Sequence, residues 1–171
     1  MKLKIQNLIK RTIFVDTNAF IYFLTGMCNE LTQELFKLSY LGKIKLLSST
    51  RIVDELLFKM MLLRAKERFG LNRKVLRNLR QNKKRVAELS NDCQKILDFL
   101  DTAKIKILEI RKSTMKAIPE VMRANGLFGN DALSLKLIKE NNVKYILTSD
   151  PDFEDIEGLE IIHPLEKDLR K

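Results

Sequence analysis

The feature that most constrains the fold is a set of short strand-length runs rich in apolar residues, one of them apolar almost without interruption. VKYILTS is apolar almost throughout, and KRTIFV, KIKLLSS and KIKILEI are further runs of strand length. A strand buried on both faces reads this way, whereas a half-solvated strand alternates apolar and polar residues. Between the runs lie segments with helical spacing and helical end signals. Strand and helix in alternation predict a mainly parallel sheet flanked by helices, an α/β fold. LEIIHP supplies a short final strand.

The helices can be placed by their ends. Asn18 to Leu24 opens one, and NELTQELFKLSYLG gives a second that stops at Gly42. STRIVDELLFKMMLLRAKERFG reads as a helix capped by Ser49 or Thr50 and closed by Gly70. Asn72 is the expected cap of a further long helix. Its apolar stripe is Val75, Leu79, Val86, Leu89, Cys93, Ile96, Leu97 and Leu100, with Asn82 filling the gap. The two long helices joined at Gly70 predict an antiparallel hairpin. KSTMKAIPEVMRANG reads as helical with a break or new start at Pro119, and NDALSLKLIKENN as a helix capped by Asn130. With 171 residues and no repeat, linker or low-complexity tract, one domain over 1–171 is expected, the hairpin of about residues 60–100 set within it.

Composition narrows the function. No apolar run reaches the ~18 residues of a membrane span. The N-terminus is basic but has no apolar core of a signal peptide, so a cytoplasmic protein is expected. Cys28 and Cys93 lack metal spacing and read as reduced core residues. His163 is the single histidine and reads as structural, which leaves zinc and triad chemistry poorly supplied. The net charge is +10, and residues 64–85 hold ten basic residues against Glu67 alone. A near-neutral domain thus carries one basic element, which points to a polyanion such as RNA. Arg73, Arg77, Arg80, Lys83 and Lys84 are the candidate contacts.

The acids carry the chemistry. In an open α/β sheet the ligand crevice lies beyond the carboxyl ends of the strands. Asp16 follows Val15 there, between two apolar runs, where a carboxylate needs a partner. Glu55 falls about one turn into the helix after the second strand, Asp131 at the start of the NDALSLKLIK helix, and Asp150 directly after ILTS. Each has a bland reading as a cap, a first-turn acid or a solvated side chain. Together they converge on one edge, which predicts a site for Mg²⁺ or Mn²⁺, ions that prefer hard oxygen ligands. Asp152 and Asp155 follow close behind. Phe128, Phe153 and Tyr22 lie near the acids and are expected in the core, with base stacking as the other use of such rings.

These motifs resemble the PIN-domain nucleases. IFVDTNAFIYFL resembles their opening motif, SSTRIVDELLFK the second, and ANGLFGNDALSLKLIKENNVKYILTSDPDFEDIEGLEII the long C-terminal one. The resemblance covers about residues 12–62 and 115–164. It implies a Rossmann-like PIN fold and a Mg²⁺- or Mn²⁺-dependent endoribonuclease, in style similar to VapC-like toxins. It implies Asp16, Glu55, Asp131 and Asp150 as catalytic metal-binding acids, Asp152 as an accessory metal acid, and Asn18, Thr148 and Ser149 as polar supports. An antitoxin partner and a homodimer are further implications. The basic hairpin and the 11 residues before the first strand depart from a compact toxin, and fit an RNase with its own RNA-binding element, such as one that acts on tRNA or ribosomal RNA; they equally fit a PIN protein that has no antitoxin. Two other readings are a dehalogenase-type phosphatase, which wants an Asp where Asn18 stands, and a non-catalytic PIN-like module that binds RNA or protein.

Overall fold

The computed structural model describes residues 5–166. Five strands form one sheet: β1 (Thr12–Val15), β2 (Lys45–Ser49), β3 (Lys106–Leu108), β4 (Tyr145–Leu147) and β5 (Glu160–Ile162). Their order is β3-β2-β1-β4-β5, and every pairing is parallel. The sheet is therefore wholly parallel. The central strands are buried as their composition requires: Ile13, Phe14, Val15, Ile146 and Leu147 have no exposed surface.

Among the described residues seven α-helices connect the strands: α1 (Thr17–Leu24), α2 (Glu30–Tyr40), α3 (Thr50–Phe69), α4 (Val75–Gln81), α5 (Lys83–Thr102), α6 (Lys112–Asn125) and α7 (Gly129–Glu140). The chain builds outward from β1 through β2 to β3, then returns to β4 on the other side of β1. That reversal makes the carboxyl ends of β1 and β4 the switch point of the sheet, where α/β folds bind ligands. Phe23 of α1 packs on Phe36 of α2 and Phe99 of α5, with ring centroids 4.1 and 5.3 Å away. The stretch before β1 joins the same core through Leu8, which is fully buried.

The α3 helix starts where expected. Ser49 ends β2 and its hydroxyl accepts from the Ile52 N–H at 3.3 Å. Gly70 ends the helix at φ 62°, a left-handed conformation that glycine adopts without a Cβ clash. Arg68, late in α3, reaches Glu88 and Asp92 of α5, while the start of α3 shares a shallow groove with Leu97 and Asp101. The α3 and α5 helices are therefore antiparallel. Ala65, Val75, Leu79 and Leu89 form a small second core inside the hairpin.

Five local expectations are corrected. The second arm of the hairpin is two helices, because Asn82 leaves helical geometry (φ −133°, ψ 84°) and caps α5 by accepting from Arg85 N–H at 3.2 Å. Asn82 is the break in the stripe, and Lys74, not Asn72, precedes α4 as its cap residue. The α6 helix runs through Pro119 unbroken. Thr114 is the buried residue of α6, so the helix lies at the surface, where a carbonyl without its helical donor can bond water. The α7 helix begins at Gly129 with the extended Phe128 as cap residue, so Asn130 lies inside the first turn. Cys28 and Cys93 are free and only half-buried, outside the core proper.

Candidate active site

Asp16 answers the burial problem of its position with three donors. Its backbone N–H continues the β1–β4 ladder to Leu147 O at 3.1 Å. Its carboxylate accepts from the Thr17 N–H at 2.7 Å, the Asn18 side-chain amide at 2.8 Å and the Thr148 hydroxyl at 2.8 Å. Two of those donors belong to the DTN turn, and the third arrives from the end of β4. Thr148 also accepts from the Asp150 N–H at 3.0 Å, and Asn18 Oδ1 accepts from the Ser149 N–H at 3.0 Å. Asn18, Thr148 and Ser149 thus lock the β1 and β4 turns together, Ser149 through its backbone.

Glu55 projects from α3 toward the same turn. It accepts from the buried Thr17 hydroxyl at 3.2 Å and pairs with Lys59, one turn further along, at 2.5 Å. Asp131 lies in the first turn of α7, which α3 holds through Arg51 Nε to Asn130 Oδ1 at 3.3 Å. Asp16, Glu55, Asp131 and Asp150 line one cavity of about 380 Å³, with Lys59 and Phe128 on its wall. A larger cavity of about 630 Å³, between β3 and α6, shares no lining residue with it.

The electrostatics report crowding. The Asp131 carboxyl is pushed up to about 6 by burial first, then by the negative charges of Asp150, Asp16, Asp152 and Glu55. Burial also raises Asp16, against the lowering effect of its bonds to Thr148 and Thr17, while Asp150 and Glu55 push it higher. Lys59 is the single cation among the residues lining the cavity. Among the described residues no group of three or more His, Cys, Asp or Glu is gathered into a ready metal cage. Glu55 is turned to Lys59, and Asp16 to its three donors.

The remaining expected positions sort by distance from this cavity. Asp152 is exposed at its margin, where its N–H donates to Asp150 Oδ1 at 3.0 Å. Asp155 is exposed and not part of the lining. Phe153 is in the core as expected and Tyr22 is half-buried, but Phe128 is 76% exposed, contrary to expectation. Sequence reasoning missed Thr17 and Lys59. Thr17 stands inside the DTN motif, and Lys59 lies four residues after Glu55, the spacing of a helical ion pair.

The PIN domain family profile matches residues 13–159, a span that runs from β1 past β4 and takes in all four acids. The chain belongs to the PIN domain family. Comparison with curated protein sequences returns no match. Among solved structures the fold is similar to a chain of VapBC2 from Rickettsia felis, bound to a DNA fragment from their promoter. The TM-score is 0.56 at 17% identity, over 90% of this chain and 98% of that one. A chain of a toxin–antitoxin complex from Klebsiella pneumoniae is similar to the same degree, with TM-score 0.56 at 15% identity and the same coverage. At these identities the likeness establishes the fold.

Proposed function

We propose that this protein is a divalent-metal-dependent endoribonuclease. The observation that carries the reading is the meeting of Asp16, Glu55, Asp131 and Asp150, from four separate elements, on one cavity at the switch point of the sheet. The family supports it, since PIN domains are generally nucleases that use divalent metal ions.

The donor set suits Mg²⁺ or Mn²⁺. It is all oxygen, and it gathers more negative charge than Lys59 offsets, as the raised Asp131 carboxyl reflects. Asp16, Glu55, Asp131 and Asp150 would hold the metal, with Asp152 as accessory. Bound there, a divalent cation supplies water activation and charge stabilisation for phosphodiester hydrolysis. Thr148, Asn18 and Thr17 fix the Asp16 carboxylate in place. Glu55 or Asp150 orients the attacking water. Lys59, released from Glu55, is placed to meet a phosphate of the substrate. No side chain acts as a covalent nucleophile.

RNA reaches the site by way of the basic hairpin, where Arg73, Arg77, Arg80, Lys83 and Lys84 are all exposed. tRNA and ribosomal RNA are the substrates to try first. The toxin–antitoxin origin of both similar structures extends the reading to an antitoxin partner; a homodimer and a cytoplasmic setting are further parts of the proposal. The test is incubation with a tRNA and rRNA pool in Mg²⁺, Mn²⁺ or EDTA, with Asp16→Asn alongside. Cleavage that needs both metal and Asp16 is expected. Cleavage by Asp16→Asn at the parent rate overturns the mechanism, and RNA binding without cleavage in any metal replaces it with a non-catalytic RNA-binding module.

A further inference from the structure

The most exposed large apolar side chain among the described residues stands on the wall of the acid cavity. Phe128 is 76% exposed, whereas Phe14, Phe20 and Phe153 are fully or almost fully buried. Its backbone is held: it is the extended residue before α7, and its carbonyl accepts from the Ala132 N–H at 2.8 Å. The helix behind it is tied to α3 through Arg51 and Asn130. The ring itself takes part in no aromatic pair or cation–π contact among the described residues. A fixed backbone thus presents the ring to solvent, and its place on the wall of the acid cavity sets it apart from the other exposed apolar side chains.

The surroundings select the occupant. The cavity that Phe128 helps to line is otherwise polar, with Asp131, Asn130, Glu55 and Lys59 among its lining residues. An apolar protein side chain laid over the ring would strip water from these carboxylates. A nucleotide would not: its base offers a flat π-face to the ring, while its phosphate lies toward Lys59 and the acid site. The nine net positive charges of residues 64–85 draw the same class of molecule.

We propose that Phe128 is a stacking platform for an unpaired base next to the scissile phosphate, with Lys59 as the neighbouring backbone contact. The proposal rests on the nuclease reading and narrows its substrate. A base within a duplex is already stacked on both faces, so the site takes single-stranded RNA, a loop or a bulge in preference to a helix.

The test exploits the absence of tryptophan from the chain. In an Asp16→Asn background, Phe128→Trp places the sole indole at the platform, and Phe128→Leu keeps an apolar side chain without a π-face. A single-stranded RNA oligonucleotide and the same sequence closed into a duplex are titrated, with fluorescence anisotropy for affinity and indole emission for stacking. Phe128→Leu should weaken single-strand binding by about 5- to 150-fold, the span of base–aromatic stacking. Phe128→Trp should hold parental affinity and lose indole emission on the single strand but not on the duplex. Parental affinity in Phe128→Leu, or equal indole quenching by duplex and single strand, overturns the platform while leaving the nuclease reading intact. A change of oligomeric mass in Phe128→Leu with RNA affinity unchanged overturns it in favour of a second copy of the chain on the ring. Absence of RNA binding by the parent removes the nuclease reading and the platform with it.

Discussion

The Thr148 hydroxyl donates to Asp16 Oδ2 at 2.8 Å, joining residues 132 positions apart. Thr148 is fully buried, and its oxygen also accepts the Asp150 N–H. Thr148→Val keeps the shape and leaves both partners short of a bond, which should cost about 1–3 kcal/mol of stability. Without the hydroxyl, the charged form of Asp16 also loses a hydrogen bond that favours it. The acid limb of the pH–rate profile should therefore move to higher pH, and Thr148→Ser should restore it. Denaturant melts and the profile are the checks; an unmoved acid limb would mean that Thr148 is merely structural.

Asp131 predicts an inverted pH dependence of its own contribution to stability. Its folded carboxyl is raised from 3.8 to about 6, so between those values the folded state holds a proton that the unfolded chain has lost. The stabilisation is complete below 3.8 and disappears as pH rises through 6. Without divalent metal, Asp131→Asn should match the parent near pH 4 and melt at a higher temperature near pH 7. Mn²⁺ at neutral pH should raise the parent's melting temperature more than the variant's, since only the parent relieves its repulsion by binding. Parallel melting curves for parent and variant from pH 4 to 7 would refute the crowding.

Arg68 ties the two arms of the hairpin together. Its guanidinium lies 2.9 Å from Asp92 Oδ2 and donates to Asp92 Oδ1 at 3.2 Å and Glu88 O at 3.2 Å. The Asp92 side chain is only 14% exposed, and among the described residues its Oδ2 has no hydrogen bond beyond that ion pair. Arg68→Ala strands a largely buried carboxylate, at about 1–3 kcal/mol. Faster hydrogen exchange should be confined to α4 and the first half of α5, with the β1 and β4 amides protected as before. Uniform loss of protection would show that the hairpin does not open as a separate unit.

The sheet and the acids were legible in the sequence for a common reason. A strand buried on both faces cannot hide its apolar run, and a carboxylate directly after such a run can lie only at the sheet edge. Asp16 and Asp150 follow from that alone, and Glu55 and Asp131 from their places early in helices that start at the same edge. What escaped depends on side-chain direction and on tertiary context. Asn82 fits a helical stripe by spacing, yet its side chain satisfies the Arg85 N–H better as a cap. Pro119 signals a break, but a surface helix tolerates it. Phe128 looks like core by composition, and only the extended backbone before α7 turns its ring outward. Lys59 is unremarkable on a basic helix until its Glu55 partner is seen to line the cavity.

The basic element and the acid cavity are far enough apart to be tested separately. Glu55 and the end of α3 at Phe69 are separated by fourteen helical steps, about 20 Å at 1.5 Å per residue. Arg64, Arg68 and Arg85 within the element are engaged with Glu67, Asp92 and Asn78. Arg73, Arg77, Arg80, Lys83 and Lys84 are exposed and have no such pairing among the described residues. Changing these five to Gln should weaken RNA binding and flatten its dependence on salt, by about 0.7 in the log–log slope for each phosphate that is no longer neutralised. Cleavage at saturating RNA should be unchanged, because none of the five lines the acid cavity. An oligonucleotide too short to span the gap should show the flat salt dependence of the five-fold variant even with the parent protein, and still be cut. A short oligonucleotide that keeps the full slope would place the phosphate contacts at the cavity instead, on Lys59 and its neighbours, and leave the hairpin surface without a role in RNA capture.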